Sequence, residues 1–279
     1  MDHFPSNWGR PRNDAIDQYA TYPIHSRPKD SFAEGVQRTQ QPIVTGTSVL
    51  AFKFKDGIMM AADTLASYGS LARFKDVQRL HAVGNHTVVG AGGDMSDFQY
   101  IQNLLEQLIV DEISAQDHHT LSPAEIHEYL SQVMYARRSK IDPLWNSLLV
   151  GGFKDGEKYQ PSNPRRPLPL TVYLRFLAYV DLLGTTYSAS TLATGYGAHI
   201  AQPLLRKAVE SREEILTEEQ ALKIMEACMK VLFYRDARSL NKYQVATITK
   251  DGVKISDSKT LDTSWSFAEN IRGYGAQTQ

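Results

Sequence analysis

The chain has 279 residues, 42% of them hydrophobic and 22% charged, with a formal net charge of -1. That is the profile of a globular protein with enough chain to bury a full core, and it excludes a disordered polymer. A charge so near zero gives no overall field to draw in nucleic acid or an anionic membrane surface, and the pairs Arg137-Arg138 and Arg165-Arg166 are too short to act as binding tracts.

No apolar run approaches the length that spans a bilayer, and the N-terminus lacks an apolar core behind a basic start, so neither secretion nor membrane insertion is expected. Residues 1–38 hold Pro5, Pro11, Pro23 and Pro28 among mixed charges without a sustained period, the pattern of a flexible leader or propeptide. The main folded domain is expected over 39–260, followed by a C-terminal tail over 261–279.

Gly46-Thr47-Ser48-Val49-Leu50-Ala51-Phe52-Lys53-Phe54 reads as a strand opened by Thr47. Asp56-Gly57 turns it into Ile58-Met59-Met60-Ala61-Ala62-Asp63, which places Thr47 and Asp63 at one end of a hairpin. Leu80–Val83 and Thr87–Ala91 flank Gly84-Asn85-His86 as a second strand pair. Phe98, Ile101, Leu104, Leu105 and Leu108 recur at helical spacing, with Asp94 or Ser96 as N-cap. Ser122-Pro123-Ala124-Glu125 is a capping box with proline at the first helical position, and Ile126, Leu130, Val133 and Met134 give that helix an apolar face ending near Arg138.

Ser147–Phe153 and Phe176–Leu183 read as strands. Between them Tyr159 to Arg175 carries Pro161, Pro164, Pro167 and Pro169, which forbid a regular ladder and predict an exposed inserted loop. Gly195-Tyr196-Gly197 leads into a helix from about Ala198 to Glu210, and Thr217 with Gln220 caps another through Leu222, Met225, Met229 and Leu232 to Arg235. Tyr243–Thr249 and Val253–Ser256 close the chain as a hairpin around Asp251-Gly252. Strands, two helices, strands, two helices, strands pack most simply as an α+β fold of four layers, two sheets face to face with a helix layer outside each.

Cys228 is the only cysteine, which excludes an intrachain disulfide and fits a reducing compartment. Its neighbours Ile224, Met225 and Met229 make it a core thiol rather than a nucleophile. His81, His86, His118, His119 and His127 show no ligand spacing, and Glu218, Glu219 and Lys223 form a solvated helix face, so no metal and no cofactor is expected. Leu261 to Gln279, with Trp265, Phe267 and Ile271, is too apolar for an idle tail and should dock on a surface.

The layout resembles the beta-type subunits of the proteasome, which are N-terminal nucleophile hydrolases. The likeness runs over essentially Thr39 to Ser256. It is carried by Thr39-Gln40-Gln41-Pro42-Ile43-Val44-Thr45-Gly46-Thr47-Ser48, Ser67-Tyr68-Gly69-Ser70-Leu71, Arg137-Arg138-Ser139-Lys140, Pro143-Leu144-Trp145-Asn146 and Tyr234-Arg235-Asp236-Ala237-Arg238-Ser239, segments of the beta-7 type, also called beta type-4. The resemblance implies the alpha-beta-beta-alpha sandwich and a core-particle setting in cytoplasm and nucleus. It also implies partners among other beta subunits of the same and opposite ring and the alpha rings.

The resemblance also marks site positions, several of them degenerate. Thr47 stands where the nucleophile stands, Asp63, Asp236 and Ser239 match the family's polar residues, and Gly92-Gly93 matches the place of an oxyanion donor. Arg79 replaces the lysine of active members, however, and Tyr196 replaces a serine, which puts a bulkier ring near Thr47. A threonine nucleophile needs a free amine as base, and in the beta-7 type the leader is removed between Arg38 and Thr39, which leaves Thr47 in a peptide bond. Arginine does not deprotonate in proteins. The reading is a non-catalytic structural subunit, with Trp265, Phe267 and Ile271 as docking residues of a tail that reaches neighbouring subunits. Its rivals are an active threonine endopeptidase that frees Thr47 by cleavage at Gly46, and a free-standing amidohydrolase of the same fold.

Overall fold

The computed structural model describes residues 41–115, 120–154 and 174–268. The strand expected to open at Thr47 is two elements: Val44–Gly46 (β1) ends before it and Val49–Phe54 (β2) begins after it. They lie in different sheets, and Thr47 with Ser48 makes the step between them. The physical reason is that both of their carbonyls are taken by the Arg79 side chain, which leaves them unavailable to a ladder.

From β2 the chain turns into Gly57–Asp63 (β3), then Ala66–Tyr68 (β4) and Leu71–Phe74 (β5), then Leu80–Val83 (β6) and Thr87–Asp94 (β7). Two helices follow, Met95–Ala115 (α1) and Pro123–Ser139 (α2). Asn146–Lys154 (β8), Leu174–Val180 (β9), Thr186–Ser188 (β10) and Thr191–Ala193 (β11) lead to Gly197–Val209 (α3) and Glu218–Arg235 (α4). Lys242–Thr249 (β12), Gly252–Ile255 (β13), Lys259–Thr260 (β14) and a short 3-10 turn at Ser266–Ala268 complete the described chain.

One sheet has the order β10-β9-β8-β7-β1-β4-β5, with β6 also on β7; the other has the order β11-β2-β3-β12-β13, with β14 on β12. Alternation along the strands separates three apolar layers. Leu50, Phe52, Met59 and Ala61 face α3 and α4, where Ala201, Leu205, Met225, Cys228 and Leu232 meet them. Val49, Ala51, Ile58 and Met60 face the other way, against Leu80, Val88, Leu149 and Leu177 of the first sheet. Beyond that sheet Val89, Ala91, Leu148 and Val150 pack on Phe98, Ile101, Leu105, Ile126 and Leu130 of α1 and α2. Each helix thus covers one sheet face, the four-layer sandwich that the element order implies.

Both capping boxes are present, Ser122 with Glu125 and Thr217 with Gln220, and Asp94 is the cap of α1 through Oδ1, which accepts from the Ser96 and Asp97 amides at 2.8 and 3.2 Å. Two boundaries differ from expectation. Leu174 and Arg175 belong to β9, paired with Lys154 and Phe153, rather than to the inserted loop, whose remainder lies outside the described residues. The same strand stops at Val180, not Leu183, because Asp181 Oδ1 accepts from the amides of Leu183 and Thr185, both at 2.8 Å, and turns the chain.

Candidate active site

Five of the marked side chains reach one region from separate ends of the two sheets. Thr47 lies at the step from β1 to β2, Asp63 ends β3, and Arg79 precedes β6. Tyr196 precedes α3, and Asp236 is the C-cap of α4. Ser239 follows in a turn, its amide donating to the Asp236 carbonyl at 3.3 Å. A cavity of about 300 Å³ opens beside them, lined in part by Thr47, Gly93, Tyr196, Asp236 and Arg238. Tyr196 shares this cavity with Thr47 while remaining 48% exposed.

The Thr47 hydroxyl donates to Asp236 Oδ2 at 2.5 Å, and the other oxygen of that carboxylate accepts from the Arg238 amide at 2.9 Å. Asp236 therefore joins the Thr47 hydroxyl to the turn that follows α4. Behind Thr47, Ser48 Oγ accepts from the Gly197 amide at 2.8 Å and ties the first turn of α3 to the start of β2.

Arg79 is fully buried and uses all five of its N–H hydrogens. Nε donates to the Ala91 carbonyl at 3.2 Å. Nη1 donates to the Asp63 carbonyl at 3.4 Å and to Asp63 Oδ1, and Nη2 to the carbonyls of Thr47 and, at 3.0 Å, Ser48. None of these bonds goes to the Thr47 hydroxyl. Asp63 is buried as well, and its Oδ2 accepts from the Leu240 amide at 3.0 Å. Burial pushes the Asp63 carboxyl above its ordinary value, against the pull of Arg79 and the Leu240 N–H, while burial lowers Arg79 against the pull of Asp63. Gly46 is required at this point, since a Cβ there would collide with Arg79 Nε.

Gly92 and Gly93 are strand residues of β7, and Gly93 pairs with Gly46 in β1 on one side and Asn146 in β8 on the other. Its φ of 93° and the Trp145 carbonyl beside it exclude any side chain. Asn146 steadies this stretch by donating to the carbonyls of Gly92 and Asp94 at 3.1 and 2.8 Å. Sequence reading missed Asn146 and Ser48 as parts of the site, for their partners lie 52 to 54 and 149 residues away in the chain. For Asp94 the helical pattern signalled the cap, but nothing local signalled that Oδ2 also accepts from the Ile43 amide at 2.8 Å.

Of the remaining marked residues, Arg38, Thr39 and Ile271 lie outside the described residues. Trp265 and Phe267 stack on each other with centroids 5.8 Å apart and meet Tyr234 at the end of α4 edge-on, at 5.0 and 5.4 Å. The Tyr234 hydroxyl anchors them by donating to the Ser264 carbonyl at 3.0 Å and accepting from its amide at 2.8 Å. Even so, Trp265 and Phe267 stay 49% and 53% exposed. Cys228 is a buried thiol pushed up to about 12 by burial. Among the described residues no group of three or more His, Cys, Asp or Glu is arranged to hold a metal, and no helix is long and apolar enough to cross a membrane.

The family model described as "Proteasome subunit" matches residues 43–161 and 173–248, so its interruption falls within the proline-rich stretch Tyr159 to Arg175. The chain is 51% identical over 272 residues to the probable proteasome subunit beta type-7 of Schizosaccharomyces pombe, covering 97% of this chain and 96% of that protein. It is 43% identical to proteasome subunit beta type-7 of Saccharomyces cerevisiae, over 99% of both chains. It is 45% identical to proteasome subunit beta type-4 of Xenopus laevis, over 86% of this chain and 91% of that one. With the four-layer sandwich, the threonine at the sheet crossover and these relatives in agreement, the chain belongs to the beta-subunit family of the proteasome.

Proposed function

We propose that this chain is a non-catalytic, structural beta subunit of the proteasome core particle. It completes a ring, contacts the opposite beta ring and the alpha ring, and supports ATP- and ubiquitin-dependent protein degradation in cytoplasm and nucleus. The observation that carries the reading is Arg79, whose five hydrogens are committed to four backbone carbonyls and the Asp63 carboxylate. A proton relay at that place needs a group that can give up a proton near the threonine hydroxyl, and a guanidinium, which keeps its proton in proteins, does not. Processing between Arg38 and Thr39, with Thr47 kept inside the chain, completes the reading, and residues 261–279 serve as the tail that docks on neighbouring subunits.

Native sizing together with N-terminal sequencing tests this reading. A very large particle containing a chain that starts at Thr39 is expected. A monomer or small oligomer would point to a free-standing amidohydrolase. A second reading, an active endopeptidase, is favoured by the Thr47 to Asp236 hydrogen bond, which orients the hydroxyl as a nucleophile requires. A mature chain starting at Thr47, with that residue labelled by threonine-directed covalent inhibitors, would establish it instead.

A further inference from the structure

We propose that Ser211, at the corner where the chain leaves α3 for α4, is a phosphorylation site for an acid-directed serine kinase. The proposal goes beyond the structural reading and stands whether or not Thr47 is catalytic.

A strained residue marks the place. Among the described residues two that are not glycine take a positive φ, Ile141 at 55° and Ser211 at 66°. Both follow a helix, where the left-handed conformation is ordinarily left to glycine or asparagine. At Ile141 the conformation is repaid in hydrogen bonds, since the Ile141 amide donates to the Arg138 carbonyl and the Asp142 amide to the Arg137 carbonyl, both at 3.1 Å. Ser211 gains nothing comparable. It is exposed, and neither its amide nor its hydroxyl has a hydrogen-bond partner among the described residues. The Arg212 amide donates to the Val209 carbonyl at 2.8 Å and closes the turn around it, which leaves the serine at the tip. A side chain here is strained where glycine is not, and no contact within the chain offsets the strain, so the hydroxyl is free for a partner from outside.

The charge pattern selects that partner. Arg212, Glu213 and Glu214 follow the serine, which puts carboxylates two and three places on, where a kinase with a basic substrate groove reads them. Glu214 gives one oxygen to Arg175, yet its side chain stays 75% exposed. Ser122 and Ser139 also have a carboxylate three places on, but neither offers the same surface. Ser122 is buried, and its hydroxyl and Glu125 are consumed in the capping box of α2. Ser139 stands between Arg138 and Lys140, and its Asp142 is paired with Arg137 at 3.1 Å.

In the reaction Ser211 Oγ attacks the γ-phosphorus of ATP, the bond to the bridging oxygen breaks, ADP leaves with that electron pair, and the hydroxyl proton passes to the kinase's catalytic carboxylate. The product carries about two added negative charges. They arrive at a corner where Arg206, Lys207 and Arg212 balance Glu210, Glu213 and Glu214. The phosphate stands at the C-terminal end of α3, where the helix dipole disfavours an anion, and beside Glu210, whose carboxylate rests on Arg206 at 3.5 Å. The last turn of α3 is loosened as a result.

The test uses the intact particle, ATP and an acid-directed kinase of the casein type, with a base-directed kinase as control. Peptide mapping by mass spectrometry should find the phosphoryl group on Ser211 in the parent and not in Ser211→Ala, and the base-directed kinase should leave Ser211 unmodified. Glu213→Gln combined with Glu214→Gln should slow incorporation about ten-fold. If that pair disturbs assembly, Glu213→Gln alone, which keeps the Arg175 contact, supplies the measurement. In the phosphorylated particle the amides of residues 206–210 should exchange about five-fold faster than in the untreated one. Absence of phosphate from Ser211 on the intact particle overturns the site. Incorporation that the glutamine changes leave unaltered overturns the acid-directed class, and modification with unchanged exchange overturns the effect on α3. Labelling of Thr47 by a threonine-directed inhibitor would overturn the non-catalytic reading and leave this site standing.

Discussion

Thr47 and Asp236, 189 residues apart in the chain, meet through a hydrogen bond of 2.5 Å at the place where the two sheets exchange the backbone. The bond occupies the only hydroxyl hydrogen of Thr47, while the Thr47 carbonyl is occupied by Arg79. The residue is thus held at both its side chain and its backbone.

Thr47→Ala should leave every peptidase activity of the assembled particle within experimental scatter. The variant loses one hydrogen bond to a charged acceptor, a cost of about 1.5 to 3 kcal/mol in stability. Cleavage measured after acidic, basic and apolar residues checks this, and selective loss of one activity with normal assembly would contradict the structural role.

Arg79→Lys keeps the charge and supplies an ammonium group that can deprotonate, but its three hydrogens cannot serve five acceptors in three segments of chain. We expect no gain of activity and a loss of about 3 kcal/mol, from the buried Asp63 pairing and the carbonyls left unmet. A lowered denaturation midpoint with no new labelling by threonine-directed inhibitors is the expected result.

Cys228 should resist alkylation at pH 8 in the native particle. With its thiol pushed up to about 12, the thiolate is on the order of one molecule in ten thousand, and the residue is 3% exposed. Mass spectrometry after iodoacetamide treatment should find one modified cysteine in guanidinium and none without it.

Replacing Trp265 and Phe267 together by alanine should spare the fold, since both are half-exposed on Tyr234, but weaken the association of half-particles. An aromatic anchor at an interface costs on the order of 2 kcal/mol when truncated. Accumulation of half-particles on native gels is the readout. A chain that unfolds alone yet assembles normally would assign both residues to its own core.

What the sequence made legible was local. The capping boxes at Ser122 and Thr217 and the Asp56-Gly57 turn each depend on neighbours a few residues away, and each appears in the fold as expected. Leu80–Val83 was legible from the turn that follows it, but the strands of three residues and Leu71–Phe74 were not, because so few residues carry no period. Leu71–Phe74 is exposed along its whole length, and Val44–Gly46 is a strand only because β4 and β7 lie on either side of it. Arg79 could be recognised as the wrong residue for proton transfer. Its five acceptors, spread over Thr47, Ser48, Asp63 and Ala91, could not be read from the chain, because their convergence is a property of the two sheets together.

The alternation in β2 and β3 has one more consequence. Both faces of these strands are apolar, so the hydrophobic pattern that fixes register in a half-exposed sheet says little here: a slip of one residue would exchange two oily faces. Asp63, at the end of β3, is the only charged residue of that strand. It meets the Arg79 guanidinium and the Leu240 amide, and a shifted strand would carry its charge away from both. Asp63 and the groups it meets serve as an index mark, telling a featureless pair of strands where to stop.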